Sequence, residues 1–293
     1  MSSNNEPKLR MAPAESAEQL AHRVEHEQRA ALRQRESILE QSLAPFRVGT
    51  VRALNTVPLT RGLEEEVIYA TPSELAGMLR RDELDAALVS IVEPLLTGRY
   101  DILDGIAVAA LGEVRSVLMA HRRPIEEITE VYCDTASLTS VQLLKVLLAE
   151  RGLNPEFKPL PGYDFTQLPE YALLIGDNAL DLALGPHEHQ IWDLGQAWFE
   201  MTGLPFVFAA WSLRRGLENA SLRRQLREAR DFGLDTLDHI IQSRSEYTLD
   251  FRKDYLGWHL HYHLGADEKR GIAKFMELLR KHGNIVHEPC FVV

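Results

Sequence analysis

Cysteine is nearly absent from this chain: Cys133 and Cys290 are the two present among 293 residues, and no CxxC pair occurs. That excludes a disulfide framework and a thiolate zinc site, and it suits a reducing compartment. No apolar run approaches the ~20 residues that a membrane-spanning helix requires. The start, Met1-Ser2-Ser3-Asn4-Asn5-Glu6-Pro7, is polar and lacks the apolar core of an export signal. Positive charge is outnumbered, with 32 Lys and Arg against 43 Asp and Glu and a net charge of −11. Nucleic acid is therefore a poor partner, whereas a small anion in a locally complementary pocket is not excluded. Neither GxGxxG nor a Walker A sequence occurs, so dinucleotide and ATP sites have no support. Ser90, Ser116, Ser137 and Ser140 lack the GxSxG elbow of a hydrolytic nucleophile. The expectation is a cytoplasmic protein with no membrane insertion and no nucleic-acid partner.

What is present is an ordinary globular balance, 45% hydrophobic and 26% charged residues, on a chain long enough for one or two domains. Residues 1–45 stand apart. They are rich in Glu, Gln, Arg and Ala, with a loose apolar stripe, and read as a helical or disordered extension through which the chain could pair with a second copy. From Phe46 onward, strand and helix signals alternate. Strand candidates at 47–54, 67–70 and 84–90 are separated by a short helix near Thr60–Leu63 and a helix opening at Pro72-Ser73-Glu74. A β-α-β-α-β order predicts a parallel sheet, whose ligands bind beyond the carboxyl ends of its strands. Asn55 and Ser90 fall at such ends. Two further strands are expected around Gly112, at 106–111 and 114–120. Arg115 in the second of these needs a charge partner, such as Asp85 or Glu93, or a ligand; Ser116 alternates with it.

A second β-α series begins near residue 121, with strands at 130–133, 156–160 and 171–175 and a helix over 193–202. The apolar run Phe206–Trp211 then returns the chain to the first lobe, and 217–282 reads as helical throughout. This organisation predicts an α/β clamp: an extension over 1–45, one lobe from 46–120 with 208–293, and a second from 121–207.

One stretch concentrates chemistry. Asp134-Thr135-Ala136-Ser137-Leu138-Thr139-Ser140 joins a β-prone run to an apolar helix. A helix start exposes unpaired N–H groups and the positive end of its dipole. One hydroxyl would serve as a cap; the four at Thr135, Ser137, Thr139 and Ser140 exceed that need and point to an anion seat. Gly176-Asp177 closes another strand, where Asp177 is either a turn residue or a pocket carboxylate. The histidines at 187, 189, 259, 261 and 263 contain no HExxH. His259 and His263 would share a helical face without a third ligand, so no metal site is expected.

Several short motifs, in order, resemble the chorismate dehydratase family. They are Leu54-Asn55-Thr56-Val57-Pro58-Leu59, Pro72-Ser73-Glu74-Leu75, Leu84-Asp85-Ala86-Ala87-Leu88-Val89-Ser90, Val114-Arg115-Ser116-Val117-Leu118, Thr135 to Val141, Leu174-Ile175-Gly176-Asp177 and Gly203-Leu204-Pro205-Phe206-Val207-Phe208-Ala209. The resemblance covers residues 46–290 and leaves out the extension. It implies a two-lobed fold like the type II periplasmic binding proteins, with a C-terminal helical segment. It implies a cofactor-free hydro-lyase that converts chorismate to 3-[(1-carboxyvinyl)oxy]benzoate, the first step of the futalosine route to menaquinone. The family's asparagine matches Asn55, and the substrate's own enolpyruvyl carboxylate is the implied base. Ser90, Ser116, Thr135, Ser137, Thr139, Ser140, Gly176 and Asp177 are then the candidate substrate contacts. Two alternatives stand beside this: a non-catalytic small-anion binding protein of the same fold, and the sister dihydroxynaphthoate synthase, which relies on a cleft histidine.

Overall fold

A computed structural model describes residues 22–27, 29, 43–134 and 136–293. Most of the 1–45 extension and Thr135 lie outside the described residues. Within the extension, 22–27 and 29 are helical, and Arg23 pairs with Asp238 at 2.7 Å.

Two sheets organise the chain. The first has seven strands: β1 (Val48–Thr50), β2 (Ile68–Tyr69), β3 (Ala86–Ser90), β4 (Tyr100–Ala110), β10 (Phe206–Arg214), β11 (Leu260–His261) and β12 (Cys290–Val292). Their order is β11-β4-β10-β3-β1-β2, with β12 also beside β4. The predicted parallel unit is present, since β1 pairs in parallel with both β2 and β3. β10 then runs antiparallel between β3 and β4. The second sheet has five strands: β5 (Val117–His121), β6 (Glu130–Cys133), β7 (Glu156–Pro159), β8 (Tyr171–Ile175) and β9 (Gln190–Asp193), in the order β7-β6-β8-β5-β9.

Local sequence accounts for the helix starts. In α1 (Pro72–Arg80), Thr71 and Glu74 form a reciprocal capping box ahead of the N1 proline. α2 (Val92–Thr97) follows β3 directly. Ser137 caps α3 (Leu138–Glu150) by accepting the Ser140 N–H at 3.4 Å. α4 (Gly176–Leu184) begins where β8 ends. Asp193 caps α5 (Leu194–Thr202).

Two crossings join the sheets, one over 111–116 and one through α5, and Asp193 holds both. Its carboxylate accepts the N–H groups of Val114 (3.1 Å) and Arg115 (2.7 Å) on the first crossing and of Gly195 (2.9 Å) and Gln196 (3.0 Å) on the second. The approach is close: a Cβ on Gly195 would stand 2.6 Å from the Gly112 carbonyl oxygen. Trp198, fully buried on α5, packs edge-on against Phe206 (5.1 Å) and Phe275 (5.8 Å), tying the second crossing to the common core.

Several sequence expectations change. Val117–Ala120, assigned to the first lobe by a boundary at 120, is bonded with His121 within the second sheet, because Gly112 and Arg115, both at positive φ, turn the chain before it. Arg115 is therefore outside any strand and faces Glu113 at 3.7 Å; Asp85 instead pairs with Arg47 and Arg214, and Glu93 with Arg80. The short helix expected near Thr60–Leu63 lies earlier, as a 3-10 turn at Leu54–Leu59. The tail is not continuously helical. α6 (Ala220–Asp235), α7 (Leu237–Ser243) and α8 (Leu249–Asp254) lead into a π-helical turn at Tyr255–His259. β11 then pairs with β4 before α9 (Ala266–Lys281) begins. Helical periodicity does not register a two-residue edge strand, which is why the sequence pattern missed it.

Candidate functional site

Between the sheets lies a cavity of about 690 Å³ whose walls come from the ends of strands and the starts of helices. This volume suits a small organic ligand. The first wall follows β1. The Thr56 hydroxyl donates to the Val51 and Ala53 carbonyls at 2.9 Å each, folding 51–56 into a tight loop. That loop turns Asn55 to the cavity with its Oδ1 buried and without a hydrogen-bond partner among the described residues. Arg52, on the same wall, lies over the Tyr69 ring at 4.1 Å. Behind them stands Tyr255, fully buried, with Ser116 and Asn55 as the neighbours that act on its hydroxyl. Burial holds that phenol far above its ordinary range, so it stays a neutral donor and acceptor.

The second wall is the start of α3. Ser137 and Ser140 line the cavity, with the Ser140 hydroxyl donating to Ser137 Oγ at 3.1 Å. Asp134 accepts the Ala136 N–H at 2.9 Å and so shapes the turn. The Tyr163 hydroxyl meets Asp134, and burial followed by this neighbour pushes the phenol up to about 12. Ser90 joins from the end of β3, accepting the Thr139 N–H at 3.0 Å. Thr139 itself is 0% exposed. Its hydroxyl is paired with Ser90 and accepts the Val92 N–H at 3.4 Å, so it bolts α2 and α3 together instead of facing the cavity.

The third wall is the start of α4. Gly176 has φ +56°, and its N–H donates to the Ser116 carbonyl at 2.8 Å. Asp177 follows on the cavity wall. Burial raises its pKa, the Asp181 charge raises it further, and a hydrogen bond from Tyr247 opposes both. The Tyr247 hydroxyl also reaches Asp181 at 3.2 Å. Thr71 and Pro72 bring the start of α1 to the same space. The starts of three helices thus line one hollow, together with the Glu74 and Asp134 carboxylates, and helix starts favour an anionic group. Arg52 supplies a full positive charge beside them. A neighbouring hollow of about 1040 Å³ shares Arg52, Thr56, Tyr69 and Asp177 with it.

Asn55, Ser90, Ser116, Ser137, Ser140, Gly176 and Asp177 therefore line one cavity, although they span more than a hundred residues of chain. Thr139 lies behind its wall, and Thr135 lies outside the described residues. Sequence reasoning missed Arg52, Tyr163, Tyr247 and Tyr255. Arg52 was legible in principle, since it shares a strand end with Asn55. Tyr255 carries no local signal; only the packing of the π-helical turn against Ser116 brings it to the site. Cys133 is no nucleophile, because burial lifts its thiol to about 12. His189 is buried and held neutral by desolvation, away from the cavity. Among the described residues, the cavity wall includes no histidine.

Comparison with known proteins adds a family. Residues 46–281 match a family described as menaquinone biosynthesis. Over 264 residues, 81% of this chain and 96% of the other, the sequence is 33% identical to the chorismate dehydratase of Thermus thermophilus. A crystal structure from Archaeoglobus fulgidus is similar with a TM-score of 0.65 and 18% identity, covering 81% of this chain and 97% of that one. The alkanesulfonate-binding protein SsuA of Xanthomonas axonopodis pv. citri, bound to MOPS, is similar with a TM-score of 0.59 and 11% identity, covering 82% and 93%. These two structures speak to fold, and the fold is that of the periplasmic binding proteins, as the sequence led us to expect. The chain belongs to the menaquinone biosynthesis family.

Proposed function

We propose that this family member is a hydro-lyase that removes water from chorismate to give 3-[(1-carboxyvinyl)oxy]benzoate. The observation that carries the reading is the meeting of Asn55 with the Ser137 and Ser140 hydroxyls on one cavity wall system. Chorismate bears two carboxylates, and the three helix starts with Arg52 offer donors and positive potential for both. The reaction removes a ring proton and the hydroxyl on the adjacent carbon. Aromatisation drives it, so positioning and electrostatic complementarity carry most of the catalytic burden.

In this reading the enolpyruvyl carboxylate of the substrate takes the ring proton, and the lone Asn55 amide stabilises charge that develops beside it. Tyr255 fixes the rotamer of that amide and is a positioning residue. Asp177 faces a dianion and is useful only when protonated, since its carboxylate would repel the ligand. Its burial and the Asp181 charge favour the protonated form, which donates a hydrogen bond to the departing hydroxyl. Ser90, Ser116, Ser137, Ser140 and the Gly176 turn hold the carboxylates. Thr139 acts through Ser90.

We further assign the two sheets to two lobes of a clamp, the reaction to the futalosine route, and the protein to the cytoplasm. Pairing of two copies through the extension is the proposed oligomeric contact. Incubation of purified protein with chorismate, followed by mass spectrometry, tests the activity. Formation of the enolpyruvyl benzoate with loss of one water supports it. Tight binding of chorismate with no turnover would move the reading to an anion-binding protein of the same fold.

A further inference from the structure

Outside the cavity lining, where β11 meets α9, two imidazoles and a carboxylate converge. His261 lies on β11 and His263 two residues beyond it. Their rings stack with centroids 4.5 Å apart. Glu268, in the first turn of α9, presents Oε1 3.1 Å from His261 Nε2 and 3.4 Å from His263 Nε2. Its other oxygen accepts the Gly265 N–H at 2.8 Å, which locks the carboxylate in place through the helix cap. The Glu268 side chain is 5% exposed, whereas His263 is 62% exposed and opens the cluster to water.

We propose that His261, His263 and Glu268 form a binding site for a divalent transition metal, Zn²⁺ being the best match. Tetrahedral zinc with bonds of about 2.0–2.1 Å separates its ligand atoms by about 3.3 Å. The two observed N···O separations already have that length, and all three ligand atoms fall within 4.8 Å of one another. Two histidines and one carboxylate leave the fourth position for water, on the side where His263 meets solvent. The sequence supplied no third ligand for these histidines, because Glu268 reaches them only through the fold of β11 onto α9.

The role this site supports is structural. Leu260, adjacent to His261, lines the cavity between the sheets, and β11 is a two-residue strand at the sheet edge. A metal at His261 and His263 staples that strand to α9 and so steadies one edge of the cavity from behind. It takes no part in the proposed dehydration, and its test does not depend on chorismate.

The test uses full-length protein stripped with a chelator and then titrated with ZnCl₂ by calorimetry, with Tm read in parallel. We expect one strong site per chain and a rise in Tm of several degrees at saturating zinc. His263→Ala and His261→Ala should each weaken binding about 100-fold and abolish the Tm rise, while His282→Ala, a histidine elsewhere on the surface, should leave both intact. His263 is mostly exposed, so its variant keeps the fold and carries the test alone if His261→Ala does not. Absence of a one-to-one site in the parent protein, or equal binding in His263→Ala, overturns the proposal.

Discussion

The starts of α3 and α4 use the same backbone device and opposite side chains. Each follows a strand of the second sheet, and each begins on the wall of the same cavity. At α3 the cavity meets neutral hydroxyls, Ser137 and Ser140, already linked to each other and to the backbone. At α4 it meets a carboxyl group, Asp177, beside a second acid and a tyrosine. A helix start favours negative charge, and the first turn of α3 itself carries none, the nearest being the Asp134 carboxylate that precedes it on the cavity wall. The α4 turn carries its own acid, and that acid must be protonated for a dianion to settle nearby. The lesson is that dipole direction alone does not define an anion seat; the charge state of the first-turn side chain decides whether the seat is empty.

Four experiments break or sharpen this contrast. The largest effect is expected away from both turns, at the amide they flank. Asn55→Ala should lower kcat by about 10²–10³ with little change in KM, the loss typical of removing one preorganised donor. A raised KM with kcat intact would assign Asn55 to binding. Next, Asp193→Ala removes the acceptor of four backbone N–H groups that ties both crossings, and should cost about 3 kcal/mol in denaturant unfolding. A cost under about 0.5 kcal/mol, the level of a neutral surface change, would show that the crossings do not depend on it.

The third variant addresses the α4 turn itself. Asp177→Asn should lower kcat by about 100-fold, within the range of a lost proton donor. The pH profile gives the sign. Because the folded pKa of Asp177 is raised, the protonated, active form persists above the usual carboxylate range and is lost as pH climbs through the raised value. Parent activity should therefore fall on the alkaline side of that value, and Asp177→Asn should be flat there. An identical alkaline limb in the variant would assign that titration to another group. The smallest effect belongs to α3. Ser137→Ala should raise KM about fivefold, near 1 kcal/mol, because the N–H groups of the turn remain after one hydroxyl is lost. An unchanged chorismate affinity by calorimetry would remove the hydroxyl seat from the argument.

Much of this arrangement was readable one element at a time. The nearly continuous apolar run 84–90 announced a buried strand, and Pro72-Ser73-Glu74 announced a helix start, because burial and capping act over a few residues. The hydroxyl-rich turn before α3 was visible for the same reason. Thr139 shows the limit: its residue type and position fit a ligand contact, yet its hydroxyl is spent on Ser90, 49 residues earlier. Arg115 shows another, since an apolar stretch concealed a positive-φ turn where the chain leaves one sheet for the other.

From its residues alone the chain dictated which segments become buried strands, which helices are capped, and that a small anion suits it better than nucleic acid. These depend on periodicity, caps and composition, all of them short-range. Only the tertiary structure decided that Tyr255 stands behind Asn55, that Asp177 shares a hollow with Ser137, and that Glu268 meets His261 and His263. Each of these is a meeting of side chains on different elements, made by sheet order and crossing geometry, for which no local pattern in the sequence carries a trace.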